Sequence, residues 1–260
     1  MAGTIGTEVV DGLGWIIFDH EARRNAITSA MWREIPRAVE QLDRDPNVRV
    51  ILLRGAGQAA FVSGADISEF EENRVGAAAE EYDRENGRAF ESLLGSSKPT
   101  IALIHGFCVG GGCALALTAD LRYAADDAVF AIPAARLGLG YGAPGIEQLI
   151  RVVGLAAAKE IFFTARRFDA SEALQLGLVN RVLSKAHLES YVRDTAAQIA
   201  ANAPLTLRSA KLVMHELGVA AEKRDQKAIR ESIRACYASE DYAEGVRAFL
   251  EKRRPRFRGR

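Results

Sequence analysis

Three consecutive glycines, Gly110, Gly111 and Gly112, interrupt an otherwise apolar stretch from Leu103 to Thr118. Glycine costs backbone entropy and is normally kept out of buried strands and helices. A run of three therefore requires the backbone to turn sharply or to approach something closely. The run lies between a buried-strand pattern and a buried-helix pattern. The first N–H groups of a helix have no intrahelical acceptor, and the helix dipole is positive there. Two readings follow: tight helix–strand packing, or a backbone site for developing negative charge such as a thioester enolate oxygen.

A second segment adds to the first. Phe61-Val62-Ser63-Gly64-Ala65-Asp66-Ile67-Ser68-Glu69-Phe70 follows the strand pattern Val48-Arg49-Val50-Ile51-Leu52-Leu53-Arg54-Gly55. Gly64-Ala65-Asp66-Ile67 and Gly106-Phe107-Cys108-Val109-Gly110-Gly111-Gly112-Cys113 together resemble the two signature segments of the crotonase superfamily, the enoyl-CoA hydratase/isomerase family. The likeness includes Arg24-Asn25-Ala26, Phe130-Ala131-Ile132-Pro133, Leu137-Gly138 and Ala203-Pro204-Leu205. It closes with Ala248-Phe249-Leu250-Glu251-Lys252-Arg253-Arg254-Pro255.

Composition narrows the class. The 260 residues are 48% hydrophobic, enough for a substantial core, and 34 basic residues balance 34 acidic ones. Zero net charge argues against nucleic-acid binding and against a polybasic membrane anchor. The last ten residues are locally basic, with six cations from Lys252 to Arg260 against Glu251. Such a tail is either solvated or placed to meet the phosphates of coenzyme A. Cys108, Cys113 and Cys236 lack metal-ligand spacing and read as small buried hydrophobes. Residues 101–119 have the length of a membrane span, but the glycines and His105 favour a soluble strand turning into a helix. No basic-then-apolar signal opens the chain, so a cytoplasmic location is expected.

The first half alternates strand and helix signals. Strands are expected at 14–18, 48–54, 100–104, 121–124 and 128–131, and helices at 28–43 and 77–95. Beyond Pro144 helices dominate, at 187–202, 204–217, 221–237 and 240–252. Asp169-Ala170-Ser171-Glu172 is a capping box, and 177–183 reads as a last strand. The expected class is α/β with a largely parallel sheet. The resemblance implies a spiral of ββα units over residues 1–200, with the acyl-CoA site. It also implies a helical trimerisation region over 201–260, and a homotrimer or a hexamer built as a dimer of trimers.

The resemblance further assigns roles. The backbone amides of Ala65 and Gly111 would bind the thioester oxygen of an acyl-CoA substrate, with Gly64 and Gly110 beside them among the substrate-binding residues. Coenzyme A is part of that substrate, and no separate cofactor or metal is implied. The nucleotide would lie near Arg24, Ala26, Asp66 and Ile67, and Phe249 and Lys252 match positions that reach coenzyme A on a neighbouring subunit. A hydratase of this family needs two glutamates to hold and deprotonate water. Those positions are Ala114 and Ala134, and a methyl group cannot exchange protons. Glu147, Asp120, Asp66, Glu69 and Arg136 each read more simply as structural charges.

Tyr141 stands where hydratases carry proline, which resembles the methylmalonyl-CoA decarboxylase branch, as does Ala238–Pro255. That branch has histidine at the position of Ala65 and threonine near Pro133, so the match is incomplete. Decarboxylation of a malonyl-type thioester forms the enolate without a general base. A phenol, ordinarily titrating near ~10, keeps its proton at neutral pH and can protonate the carbon; a packing role for Tyr141 is the alternative. Hydration or isomerisation by another acid remains open, as does a non-catalytic acyl-CoA binder.

Overall fold

The computed structural model describes residues 2–70 and 76–260; Met1 lies outside them. The alternation in Val50-Ile51-Leu52-Leu53 sends successive side chains to opposite faces of a sheet. Both faces are buried. Ile51 and Leu53 belong to one hydrophobic cluster, and Val50 and Leu52 to another. A strand apolar on both faces is the mark of a parallel sheet covered on two sides.

Ten strands appear among the described residues. They are β1 (Thr4–Val10), β2 (Leu13–Asp19), β3 (Val50–Gly55), β4 (Ala60–Val62), β5 (Thr100–Ile104), β6 (Phe107–Val109), β7 (Leu121–Ala125), β8 (Val129–Ala131), β9 (Phe168–Asp169) and β10 (Arg181–Leu183). One sheet has the order β1-β2-β3-β5-β7-β10 and is parallel apart from β1, which runs antiparallel to β2. The smaller sheet has the order β4-β6-β8-β9, with β9 antiparallel to β8.

Two helices close the large sheet. α1 (Ser29–Arg44) buries Met31, Ile35 and Leu42 completely, and the Thr28 hydroxyl caps its start by accepting from the Met31 amide. Burying such a side chain contributes about 1.5–3 kcal/mol before entropy is counted. On the other face lies the later helix Lys185–Ala200, through Leu188, Val192 and Ala196. In chain order the helices after α1 are α2 (Ala77–Leu94), α3 (Gly111–Thr118), α4 (Ala143–Thr164), α5 (Ala170–Gln175), α6 (Lys185–Ala200), α7 (Pro204–Leu217), α8 (Gln226–Tyr237) and α9 (Glu240–Leu250). α4 is two helical pieces meeting at Gly154, whose backbone is not helical.

Several expected elements change shape. Residues 101–119 are not one strand running into a helix. The chain leaves the large sheet after Ile104, adds β6 to the small sheet, and only then enters α3. The strand expected over 177–183 shortens to Arg181–Leu183, because Gly177 turns with φ +73°. The helix expected over 221–237 begins at Gln226, where the Asp225 carboxylate accepts from the Ala228 amide. At 169–172 the Asp169 side chain caps α5 as expected, while Glu172 pairs with Arg166 rather than turning back.

α7, α8 and α9 leave much apolar surface open. Met214, Tyr237, Phe249 and Leu250 are exposed, and a groove of about 900 Å³ runs between these helices. The C-terminal segment folds back on α9. The buried Asp241 carboxylate accepts from the amides of Arg258 and Gly259, and Arg253 pairs with Glu244.

Candidate active site

Gly110, Gly111 and Gly112 each have a different reason to be glycine. Gly110 sits at φ +53°, a region that disfavours other residues, and its amide donates to the Ala131 carbonyl. A Cβ on Gly112 would stand 2.2 Å from the Val62 carbonyl oxygen, so α3 packs on β4 with no space for a side chain. A Cβ on Gly111 would meet the Trp32 ring at 3.3 Å and the Ala65 nitrogen at 3.7 Å. Gly112 thus serves packing, and Gly111 brings its backbone beside Ala65.

Neither amide has a backbone acceptor among the described residues. Gly111 is the first residue of α3, so its N–H has no intrahelical partner. Ala65 pairs with Ile27 in a parallel bridge. That bridge uses the Gly64 carbonyl, which accepts from Ile27, and the Asp66 amide, which donates to Ile27. The Ala65 N–H between them is turned to the other side.

Charge–charge contacts hold the Gly64–Phe70 loop. Arg23 donates to the Asp66 carboxylate at 2.8 Å, and that oxygen also accepts from the Ser68 amide and hydroxyl. Burial pushes the Asp66 carboxyl up, but the bonds from Ser68 and the Arg23 charge outweigh it, so the group stays below the usual carboxylate range. Glu69 accepts from the Ser29 amide and hydroxyl at the start of α1.

A cavity of about 290 Å³ opens beside these amides. Gly64, Ala65, Gly110, Gly111, Ala134, Tyr141 and Ile67 all line it. Trp32, Phe70, Tyr82, Phe90, Ile132, Leu137 and Leu139 make most of the remaining wall apolar. No lysine, arginine or histidine lines it among the described residues. The Tyr141 ring packs edge-on against Phe162, with centroids 5.0 Å apart, and lies over Gly145.

Ala134 reaches the cavity wall, in the 3-10 turn Pro133–Leu137. Ala114 is buried in α3 and is not one of the residues that line the cavity. The other acids weighed from sequence have structural partners. Glu147 pairs with Arg151 one turn along α4, and Asp120 joins Thr100 to Lys211.

One carboxylate that sequence reasoning missed does line the cavity. Asp83 stands on α2 with Asn86, Gly87 and Phe90, a stripe spaced as one helical face. The spacing was legible; that this face meets the glycine triplet was not.

The remaining expected contacts divide. Arg24 lies over the Phe107 ring at 4.6 Å, and with Arg136 and Arg167 it lines a neighbouring cleft of about 210 Å³. That cleft shares Ser63, Val109 and Pro133 with the cavity. Ala26 is buried, its carbonyl accepting from the His20 ring. Phe249 and Lys252 stand on and just beyond α9, and neither lines the cavity of their own chain. Burial holds the Cys108 thiol well above its ordinary range, which leaves it inert, and Cys113 donates its S–H to the Cys108 carbonyl. Among the described residues there is no cluster of three metal-ligating side chains, and no helix is long and apolar enough to cross a membrane.

The family model for enoyl-CoA hydratase/isomerase matches residues 8–260. A short-chain-enoyl-CoA hydratase of Clostridium acetobutylicum is 34% identical over 231 residues, covering 88% of each chain. A carnitinyl-CoA dehydratase of Proteus mirabilis is 34% identical over 94% of each chain. The crystal structure of an enoyl-CoA hydratase/carnitine racemase from Magnetospirillum magneticum superposes with a TM-score of 0.94 at 35% identity, covering 98% of this chain and 96% of that one. With its sheets, its glycine triplet and its paired amides in place, this chain belongs to the enoyl-CoA hydratase/isomerase family, the crotonase superfamily of enzymes that act on acyl-CoA thioesters.

Proposed function

We propose that this protein stabilises the enolate of an acyl-CoA thioester at the Ala65 and Gly111 amides, and that it forms this enolate by decarboxylating a malonyl-type substrate rather than by adding water. The observation that carries the reading is the pairing of two donor amides with methyl groups at 114 and 134, where the hydratases of this family need carboxylates. Rigid backbone donors beside an apolar cavity favour charge that develops on the thioester oxygen.

The lining also bears on the leaving group. A cation would hold a substrate carboxylate in its ground state, and no basic side chain lines the cavity among the described residues. When the bond from Cα to the carboxylate breaks, carbon dioxide leaves and the electron pair passes to the thioester oxygen. Tyr141 then gives its proton to Cα and recovers one from solvent. The cleft of Arg24, Arg136 and Arg167 offers charge for the phosphates of coenzyme A, for which bidentate guanidinium is well suited. The apolar face of α7–α9 suits assembly into a trimer or a dimer of trimers, and a cytoplasmic enzyme is the corresponding setting.

The test is turnover of methylmalonyl-CoA and crotonyl-CoA followed by mass spectrometry. Carbon dioxide loss without water addition supports the reading. A second reading, hydration or isomerisation, draws on Asp83, the carboxylate on the cavity wall, and on the hydratase names of the relatives. Hydration of crotonyl-CoA that Asp83→Asn abolishes would favour it.

A further inference from the structure

The short segment from Ile27 to Trp32 touches both loops that carry the candidate amides. At its start, Ile27 is bridged to Ala65. The Ile27 amide donates to the Gly64 carbonyl and its carbonyl accepts from Asp66, each at 2.8 Å. The Thr28 hydroxyl then caps α1 by accepting from the Met31 amide. At the end of the segment the Trp32 ring lies against Gly111, where a Cβ would stand 3.3 Å from Cζ2 and 3.6 Å from Cη2. One capped helical turn thus joins the Ala65 loop to the start of α3.

The helix fixes where Trp32 stands but not where its ring points. Two residues of α2 do that. The indole Nε1 donates to the Tyr82 hydroxyl at 2.9 Å, and Phe90 meets the ring edge-on with centroids 5.5 Å apart. Trp32 is 1% exposed and Tyr82 3%, so water does not compete for this hydrogen bond. The next residue, Arg33, pairs with Glu85 one turn along α2, a second tie between the same two helices. A side chain needed only to fill space could be phenylalanine or leucine, with no N–H to satisfy. An indole needs an acceptor when buried, and here the acceptor also sets its rotation.

Gly111 is where such a restraint matters. It is the first residue of α3, the end of the helix with the fewest backbone bonds, and it has the conformational freedom of glycine. An amide at that point holds its direction only if something bears on it. The edge of the Trp32 ring does so.

We propose that Trp32 is a positioning residue: its indole, held by Tyr82, fixes Gly111 relative to Ala65 and so sets the spacing of two amides that share one oxygen. Donors aimed in advance need no reorganisation as charge develops. The proposal rests on the enolate reading above and deepens it by naming what aims the donors.

The experiment is carbon-13 resonance of butyryl-CoA labelled at its thioester carbon and bound at saturation. The proteins are wild type, Trp32→Phe, Tyr82→Phe and Tyr123→Phe, each checked for native circular dichroism. Tyr82→Phe keeps the ring and removes the acceptor. Tyr123 is buried in the cluster on the other face of the large sheet, so Tyr123→Phe is the control for general loosening. Two well-spaced donors should move the wild-type resonance downfield of the free thioester. In Tyr82→Phe and Trp32→Phe that displacement should shrink toward the free value, and Tyr123→Phe should keep it. On whichever of methylmalonyl-CoA and crotonyl-CoA the wild type turns over, kcat of Tyr82→Phe should fall about tenfold, short of the ~100-fold that a ~1 Å misplacement costs. A Tyr82→Phe protein that keeps the wild-type displacement or the wild-type kcat overturns the proposal and leaves the enolate reading standing. Equal losses in Tyr123→Phe overturn it as well. No displacement in the wild type contradicts the enolate reading itself, and the proposal falls with it.

Discussion

Gly112 and Tyr141 carry the strongest single-residue expectations. In Gly112→Ala the added methyl would press on the backbone carbonyl of Val62, which belongs to β4 and cannot move aside freely. Overpacking of this kind costs about 1–3 kcal/mol. Thermal unfolding should therefore shift down by roughly 3–10 °C for a domain of this size. Tyr141→Phe keeps the ring on Gly145 and Phe162 and removes only the hydroxyl. If the phenol is the proton donor, kcat for decarboxylation should fall by about a hundredfold or more. KM should change little, and steady-state kinetics on both proteins will read the difference. At this scale the sequence was informative wherever a residue type was unusual for its setting: three glycines in an apolar run, and alanines at glutamate positions. Asp83 and Asn86 were not legible because polar residues on a helix are ordinary. Only the fold brings that face to the cavity wall, across a sequence distance of more than twenty residues from the glycine triplet.

The Gly64–Phe70 loop is held as an element by Asp66, and α3 by its glycines. The Asp66 carboxyl is depressed in the folded state, so it contributes stability above the ordinary carboxylate pKa near ~3.9. That contribution is lost as the pH falls through the depressed folded value. Urea unfolding of wild type and Asp66→Asn should therefore give a stability difference that is present at neutral pH and shrinks below about pH 4. At neutral pH the variant should also turn over more slowly, because the loop that presents the Ala65 amide has lost its tie to Arg23. Long elements with regular periodicity, such as α1 and β5, were legible from sequence. The three-residue strands β4 and β6 were not, since so short a run shows no alternation. β1 escaped notice because it is a largely exposed edge strand. Its Asp11-Gly12 turn, with φ of +52° and +79°, is the hairpin signal that sequence offered.

For the whole molecule, the C-terminal segment is tied to α9 by charge. Hydrogen bonds from Arg253 and the Arg256 amide pull the Glu244 carboxyl down to about 2. A depressed carboxylate supports the fold above its unfolded value and releases as acid protonates it. Amide exchange across 253–260 should thus be slow at neutral pH and quicken, relative to the rest of the chain, as the pH drops from 4 toward about 2. Glu244→Gln should show the faster exchange already at neutral pH. The docked segment and the open apolar face of α7–α9 belong to the same region. Sedimentation of the purified protein at micromolar concentration should give a multiple of three chains. A monomer would show that this face is covered in another way.

The central claim is that the Ala65 and Gly111 amides form and hold an enolate without the two hydratase glutamates. The measurement that tests it most directly is a side-by-side turnover assay of the purified protein on methylmalonyl-CoA and crotonyl-CoA, read by mass spectrometry, with Tyr141→Phe as control. Carbon dioxide loss that falls in the variant, with no water added to crotonyl-CoA, is the predicted result. Hydration of crotonyl-CoA at a rate of the order of 10 per second, typical of enzymes, would contradict it. Another group would then be handling the water in place of the residues at 114 and 134.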